Sequence, residues 1–217
     1  MLETERLVLR QWQTCDYPEF AKLNTDPKVM EFFPACLTIN ESDALAQRLS
    51  ALIDQQGWGF WSIELKQNHR FMGFCGLQQT SPALPFSPSI EIGWRLCADY
   101  WGQGYATEAA QAALQFGFEQ LQLKEIIAFT ALGNLRSQLL MERLGMQRDP
   151  LIFEHPALPA EHALTKHCLY RCSTSALPHN AQYSPARFRA DNRFYPEKTA
   201  ETANDAPKVK LKPSDRH

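Results

Sequence analysis

The sequence predicts an α+β domain with a mixed, mostly antiparallel sheet and helices on both of its faces. Runs rich in β-branched and aromatic residues occur in pairs around short polar turns, as residues 58–65 and 71–79 do around 66–70. Helical periodicity interrupts these runs at only a few points, most clearly in residues 110–121. Strands that meet in hairpins, with helices inserted between them, are typical of α+β architecture.

The first third of the chain is predicted to hold one strand and two helices. Residues 6–12 alternate apolar and polar side chains, as a strand does. Asp16 is predicted to cap the following helix, since aspartate is a favoured N-cap residue. Pro18 is compatible with this start, because proline is tolerated in a first helical turn. A second helix opens within residues 38–43 and ends at the Gly57–Gly59 break.

The rest of the domain follows from the same patterns. A proline-rich loop, 81–88, leads into a strand-like run at 89–97. After the helix noted above, residues 125–131 (EIIAFTA) predict another strand. Gly145 is expected to end a short helix over 137–144. Two final strands are predicted within 146–153 and 163–172.

The composition changes near residue 173, which divides the chain into two predicted parts. Residues 1–173 are expected to form one folded domain. Residues 174–217 contain five prolines and few aliphatic side chains, so we expect a disordered tail. Its aromatic cluster, Phe188, Phe194 and Tyr195, leaves docking on the domain or on a partner as the alternative.

Composition and charge exclude several classes of protein. No apolar run approaches membrane-spanning length, and the N-terminal residues do not resemble a signal peptide, so we expect a cytoplasmic protein. A net charge of −2 without a basic stripe gives no footprint for nucleic acid. The six cysteines are scattered and the histidines are not clustered, so we expect free thiols and no metal.

The most informative stretch is 100–109, YWGQGYATEA, between the 89–97 strand and the following helix. Gly102 and Gly104 let the backbone turn sharply and approach a ligand closely. The helix that follows offers free N–H groups and a positive dipole end, so the junction predicts a phosphate-binding site. It is neither a P-loop nor a dinucleotide fingerprint, because no Gly-Lys-Ser/Thr follows and Thr107 stands at the third glycine position.

This run resembles the acyl-CoA pyrophosphate loop of the GNAT N-acetyltransferases, Arg/Gln-x-x-Gly-x-Gly/Ala. Trp101 stands where the general pattern has Arg or Gln, a form similar to the RimJ/RimL-like branch. The resemblance extends over residues 2–173 and includes Asn-Leu-Arg-Ser at 134–137 and Glu-Arg-Leu-Gly-Met at 142–146. It implies a GNAT fold and transfer of an acetyl group from acetyl-CoA to an amine.

The resemblance also implies which residues bind acetyl-CoA. The pantetheine arm would pair with the main chain of Ile92, Trp94 and Leu96. Asn134 would contact the far end of that arm, and it can equally cap the next helix. The pyrophosphate would lie on the N–H groups of the loop and helix start, which are Gly102, Gln103, Gly104, Tyr105, Ala106 and Thr107.

Two residues are candidates for catalysis. Many relatives use a tyrosine in the penultimate helix as the leaving-group acid, and none stands between Asn134 and Met146 here. By resemblance Ser137 is the candidate acid, with capping of that helix as the alternative role. Glu91 is the candidate general base, because a carboxylate on a mostly buried strand has a raised pKa; a purely structural role is the alternative. Glu108, in a first helical turn, is interpreted as structural.

The acceptor is less defined. Phe33, Phe86 and Trp94 are candidates for an apolar cleft on the side opposite CoA. The resemblance implies a protein N-terminal amine or a small-molecule amine as acceptor, with the enzyme acting as a monomer or homodimer. The alternative is a non-catalytic acyl-CoA-binding or interaction module.

Overall fold

The computed structural model describes residues 1–174 and the backbone of residues 187 and 188. Its strands are β1 (Leu2–Glu3), β2 (Leu7–Arg10), β3 (Phe60–Leu65), β4 (Arg70–Gln79), β5 (Ile90–Leu96), β6 (Glu125–Ala131), β7 (Gln147–Glu154), β8 (Lys166–Ser173) and β9 (Arg187–Phe188). Its helices are α1 (Tyr17–Thr25), α2 (Ile39–Gln56), α3 (Tyr105–Glu119) and α4 (Leu135–Arg143).

The strands form one nine-stranded sheet in the order β7-β8-β6-β5-β4-β3-β2-β1-β9. All neighbouring strands run antiparallel except β5 and β6, which run parallel and are connected through α3. In the backbone pairing of β5 with β6, Glu91 lies opposite Ile127. The predicted mixed, mostly antiparallel sheet is therefore confirmed.

Helices pack against both faces, as the sequence predicts. Adjacent residues of β3 point to opposite sides of the sheet. On one side Trp61 meets Phe116 of α3, with ring centroids 5.2 Å apart. On the other, Phe60 stacks on Phe74 of β4, which lies 6.0 Å from Phe20 of α1. Apolar side chains from both layers are buried against the sheet.

The helix ends mostly follow the expected local chemistry, with one correction. Thr38 caps α2 by accepting from the N–H of Glu41, and Gly57 ends α2 in the left-handed conformation, with φ of 82°. Asp16 stands at the predicted start of α1, but its side chain makes no cap hydrogen bond there. Its carboxylate instead pairs with Arg10, whose Nη1 lies 2.7 Å away.

The expectation of a disordered tail falls largely outside the described residues. The described part includes β9, whose backbone pairs with β1, with Phe188 opposite Leu2 and Arg187 opposite Glu3. None of the described helices is both long enough and apolar enough to cross a membrane. The cysteines of residues 1–174 are free thiols, and no cluster of metal-binding side chains occurs in that range.

Candidate active site

The glycine loop joins β5 to α3 with two left-handed residues. Gly102 has a φ of 74° and Gly104, the N-cap of α3, a φ of 81°. Gly104 offers no side chain to cap the helix, and the N–H groups of the first turn have no carbonyl one turn earlier to bind. An added Cβ at Gly102 would meet nothing within 4 Å, so the surface beside the loop is open. Bare backbone and unpaired donors suit an anionic group.

The loop borders a cleft of about 810 Å³ that opens where β5 and β6 separate beyond their bridge. The cleft brings together residues from the loop, β5, β6 and the start of α4. The sequence-predicted residues that line it are Glu91, Ile92, Trp94, Leu96, Gly102, Gly104, Tyr105, Ala106, Thr107, Asn134 and Ser137.

Gln103 was predicted to bind the cofactor, but its side chain points away from the cleft. Its amide donates to the carbonyl of Asp99 at 2.9 Å, and it does not line the cleft. Its carbonyl accepts from Nη1 of Arg6 at 3.0 Å. Trp101, the departure from the general loop pattern, donates from Nε1 to the carbonyl of Leu96 and so fastens the loop to β5.

The start of α4 separates the roles of Asn134 and Ser137. Asn134 caps the helix, because its Oδ1 accepts from the N–H of Ser137 at 3.2 Å. Its Nδ2 donates to Oγ1 of Thr130 on β6 at 2.9 Å, which fixes the amide. Ser137 lines the cleft, and its hydroxyl makes no hydrogen bond with another residue of 1–174. The cap of α4 is therefore Asn134, and the Ser137 hydroxyl is not used in capping.

Glu91 lies on β5 at the closed end of the cleft, opposite Gln78 of β4 and Ile127 of β6. Burial raises the pKa of its carboxyl from 4.5 to about 7. A carboxyl that titrates near neutral pH can accept a proton from a bound group and release it to solvent. Its place in the cleft and its pKa fit the base predicted from the sequence, although neither tests that role.

Several aromatic residues line the cleft. Phe33 and Trp94 are among them, as the sequence suggests. Phe86 is not; it packs against Phe129 and Phe153 in a small separate core. Phe129 itself reaches the cleft.

The sequence indicated the turn near His155 on the acceptor side, but it did not identify His167, Arg136 or Arg95 as lining residues, because these come from distant elements. His155 and His167 lie with ring centroids 5.0 Å apart, and burial lowers the pKa of each imidazole. Arg136 lies over the ring of Trp101 at 4.6 Å and pairs with Glu31. Arg95 follows Glu91 by four residues on β5, and that alternation is the one signal that could have identified it.

Several known proteins are similar to this chain in sequence, and several solved structures are similar to it in fold. The uncharacterized protein YkkB of Bacillus subtilis is 30% identical over 152 residues, covering 70% of this chain and 87% of that protein. The uncharacterized N-acetyltransferase p20 of Bacillus licheniformis is 28% identical over 156 residues, covering 71% and 86%. The solved spermidine N-acetyltransferase of Vibrio cholerae, in complex with CoA and spermine, superposes with a TM-score of 0.63 at 19% identity, covering 80% and 98%.

The sequence model described as "Acetyltransferase (GNAT) domain" matches residues 6–147. That match begins in front of β2, includes the glycine loop, and ends after α4. The fold class predicted from the resemblance is confirmed. The chain belongs to the GNAT acetyltransferase family.

Proposed function

We propose that this protein transfers the acetyl group of acetyl-CoA to a primary amine, as a RimJ/RimL-like N-acetyltransferase of the cytoplasm. The observation that carries the proposal is the junction of two left-handed glycines with the uncapped N-terminus of α3, beside the open β5–β6 cleft. A CoA pyrophosphate is the ligand that suits such a junction in this family.

In this proposal acetyl-CoA lies along the glycine loop and β5. The pyrophosphate accepts from the N–H groups of residues 102–107, including the backbone of Gln103, whose side chain takes no part. The pantetheine arm pairs with the main chain of Ile92, Trp94 and Leu96, on the side of β5 that β6 leaves open. Asn134 caps α4 and contacts the end of the same arm. The domain over residues 1–173 is the catalytic unit.

The transfer needs a proton acceptor and a proton donor. The amine nitrogen attacks the thioester carbonyl carbon, so that a C–N bond forms and the C–S bond breaks. Glu91 takes the proton that the amine gives up, which its raised pKa suits. Ser137 gives its hydroxyl proton to the departing sulfur and recovers one from solvent. The products are the N-acetyl amine and CoA.

The acceptor is a protein N-terminus or a small-molecule amine, bound by a monomer or homodimer. The aromatic residues of the cleft, Phe33 and Trp94 among them, offer apolar contacts to either class. The V. cholerae structural neighbour is named for spermidine and was solved with spermine, so polyamines belong among the acceptors to be tried.

The test is acetyl-CoA turnover, read by thiol release, against peptide N-termini, polyamines, amino acids and aminoglycosides. Release above the rate without acceptor, together with acetylated product by mass spectrometry, supports the proposal. Saturable CoA binding without turnover on any acceptor contradicts it and indicates a non-catalytic acyl-CoA-binding module.

A further inference from the structure

Arg95 is a cation in the cleft without an acidic partner. Its Nη1 donates to Oδ1 of Asn24 at 2.5 Å, while its Nε is fully buried with no hydrogen-bond partner. No ion pair within residues 1–174 includes it. A guanidinium carries five N–H donors, so most of this group's capacity is unused. Burying an unpaired charge is costly, which points to a partner that arrives with a ligand.

The surroundings fix this guanidinium in place. Asn24 is itself fully buried and donates from Nδ2 to Oγ of Ser42 at 2.9 Å, so the hydrogen-bond chain reaches from β5 through α1 to α2. The guanidinium lies over the ring of Phe33, 3.9 Å from its centroid. Burial lowers its pKa to about 10, which leaves it charged at neutral pH. Such a fixed cation is prepared to bind an anion without further ordering.

Glu91 and Arg95 share one face of β5 with Gly93 between them. At about 3.3 Å of rise per residue, their Cα atoms are roughly 13 Å apart. Gly93 has no side chain, and an added Cβ would lie 2.8 Å from Cζ of Phe60. This face of the cleft therefore carries an acid at one end, a cation at the other, and the Phe60 ring packed against the glycine between them.

The other arginines that line the cleft are not buried cations without an acidic partner. Arg136 is exposed and paired with Glu31 at 2.5 Å. Arg143 is exposed at the end of α4. Neither presents a buried donor without a partner, so Arg95 is the better candidate for recognition of a charged group.

We propose that the acceptor is a small amine that also carries a carboxylate, and that Arg95 binds this carboxylate while the amine lies at Glu91. An apolar spacer between the two groups would lie over Gly93 and Phe60. This inference rests on the proposed function and narrows its acceptor to amino-acid-like zwitterions.

The experiment compares matched amines with and without the carboxylate. The pairs are γ-aminobutyrate with propylamine, ε-aminocaproate with pentylamine, and 4-(aminomethyl)benzoate with benzylamine, each with an apolar spacer between amine and carboxylate. We expect wild-type kcat/KM to favour the carboxylated member of at least one pair by about 30-fold or more, the lower range for a buried charge pair. The preference should appear mainly in KM, since the contact is made equally before and during reaction.

Three variants test whether Arg95 causes the preference for the carboxylated amine. Arg95→Met should bring the ratio within each pair close to one, and Arg95→Lys should retain part of it. Arg148→Met removes an exposed arginine of β7 that does not line the cleft, and it should keep the wild-type ratio. A melting temperature and a CoA-induced melting shift, measured on each variant, show whether it is folded with its donor site formed.

Two failures can be told apart. If wild type acetylates alkylamines as well as their carboxylated partners in every pair, the role of Arg95 is wrong and the proposed function stands. The same conclusion follows if Arg95→Met keeps the preference. This wild-type comparison decides the question even if Arg95→Met fails to fold. If no amine is turned over and CoA gives no melting shift, the proposed function fails and this inference with it.

Discussion

Arg6 and Glu108 join the β1–β2 turn to the first turn of α3, with Nε and Oε2 2.6 Å apart. The other carboxylate oxygen of Glu108 accepts from the Arg6 N–H at 2.8 Å and from the Thr4 hydroxyl. Arg6 also donates to the carbonyl of Gln103 and lies over the ring of Tyr105 at 4.3 Å. The glycine loop is thus held in shape from the β1–β2 turn.

Replacing Glu108 should therefore destabilise the fold. Glu108→Ala leaves the Arg6 N–H without its acceptor and leaves the Thr4 hydroxyl only the longer contact to the Leu7 carbonyl at 3.3 Å, so we expect a loss of about 1–3 kcal/mol in unfolding free energy. The matched control is Glu119→Ala, at the exposed end of the same helix, where the carboxylate accepts from Gln115. Urea denaturation of both variants measures the difference; equal losses would contradict a bracing role for Glu108.

Alanine variants of Ser137 and Asn134 should distinguish a catalytic role from a role in capping α4. Because the Asn134 side chain caps α4, Ser137→Ala should keep the wild-type melting temperature while turnover falls by about 10²–10⁴-fold. Asn134→Ala should lower the stability by about 1 kcal/mol. The turnover number and melting temperature are measured on one preparation of each variant. A Ser137→Ala enzyme with a full rate would remove Ser137 from the mechanism.

Glu91 should make both rate and stability depend on pH. Its folded pKa of about 7 lies above the ordinary 4.5, so the folded state binds this proton more tightly than the unfolded state. The stability of wild type should therefore fall, relative to Glu91→Gln, as pH rises from about 4.5 to about 7. Melting temperatures of both proteins across this range measure the gap. A gap that does not change with pH would show that the carboxyl titrates normally.

The same residue should set the lower limb of the activity profile. If Glu91 is the base, wild-type kcat/KM rises as pH increases through about 7, because the carboxylate is the active form. Glu91→Gln should reduce the rate and remove this limb. A profile that is unchanged in Glu91→Gln would assign the proton to water instead.

Local signals explain what the sequence could predict. Gly102 and Gly104 between a strand-like and a helix-like run predict the loop, since the required backbone conformation is encoded within a few residues. Hydrophobic periodicity likewise predicts α2, α3 and the hairpin of β3 and β4. The two-residue β1 was missed, because its length leaves no period to detect.

The features that the sequence could not predict are contacts between elements that lie far apart along the chain. Arg6 and Glu108 are 102 residues apart, and Arg95 and Asn24 are 71 apart. Such pairs depend on strand register and helix placement, which no local pattern specifies. Asp16 illustrates the conflict: its position is that of an N-cap, yet the nearby Arg10 takes its carboxylate. The carboxylate also accepts from the N–H of Gln13 at 2.9 Å, so both of its partners precede α1 and neither belongs to that helix.

The division into a catalytic domain and a tail can be tested by truncation. A protein ending at Ser175 keeps β1 to β8 and the whole cleft, so we expect it to fold and to bind CoA as the full chain does. It loses β9, which pairs with β1 over two residues, and we expect only a small decrease in melting temperature. A large decrease would show that residues beyond 175 belong to the folded domain.

Binding of CoA at the glycine loop is tested most directly by the melting shift of wild type and Gly104→Val. At about a hundred times its dissociation constant, acetyl-CoA should stabilise wild type by roughly 2.7 kcal/mol, a shift of several degrees. Gly104→Val should abolish the shift, because a branched side chain would stand where phosphate approaches. Gly57→Val, at a left-handed glycine with a φ of 82° outside the cleft, carries similar backbone strain and should keep it. A wild-type protein that shifts with NAD or ATP but not with CoA would contradict the assignment.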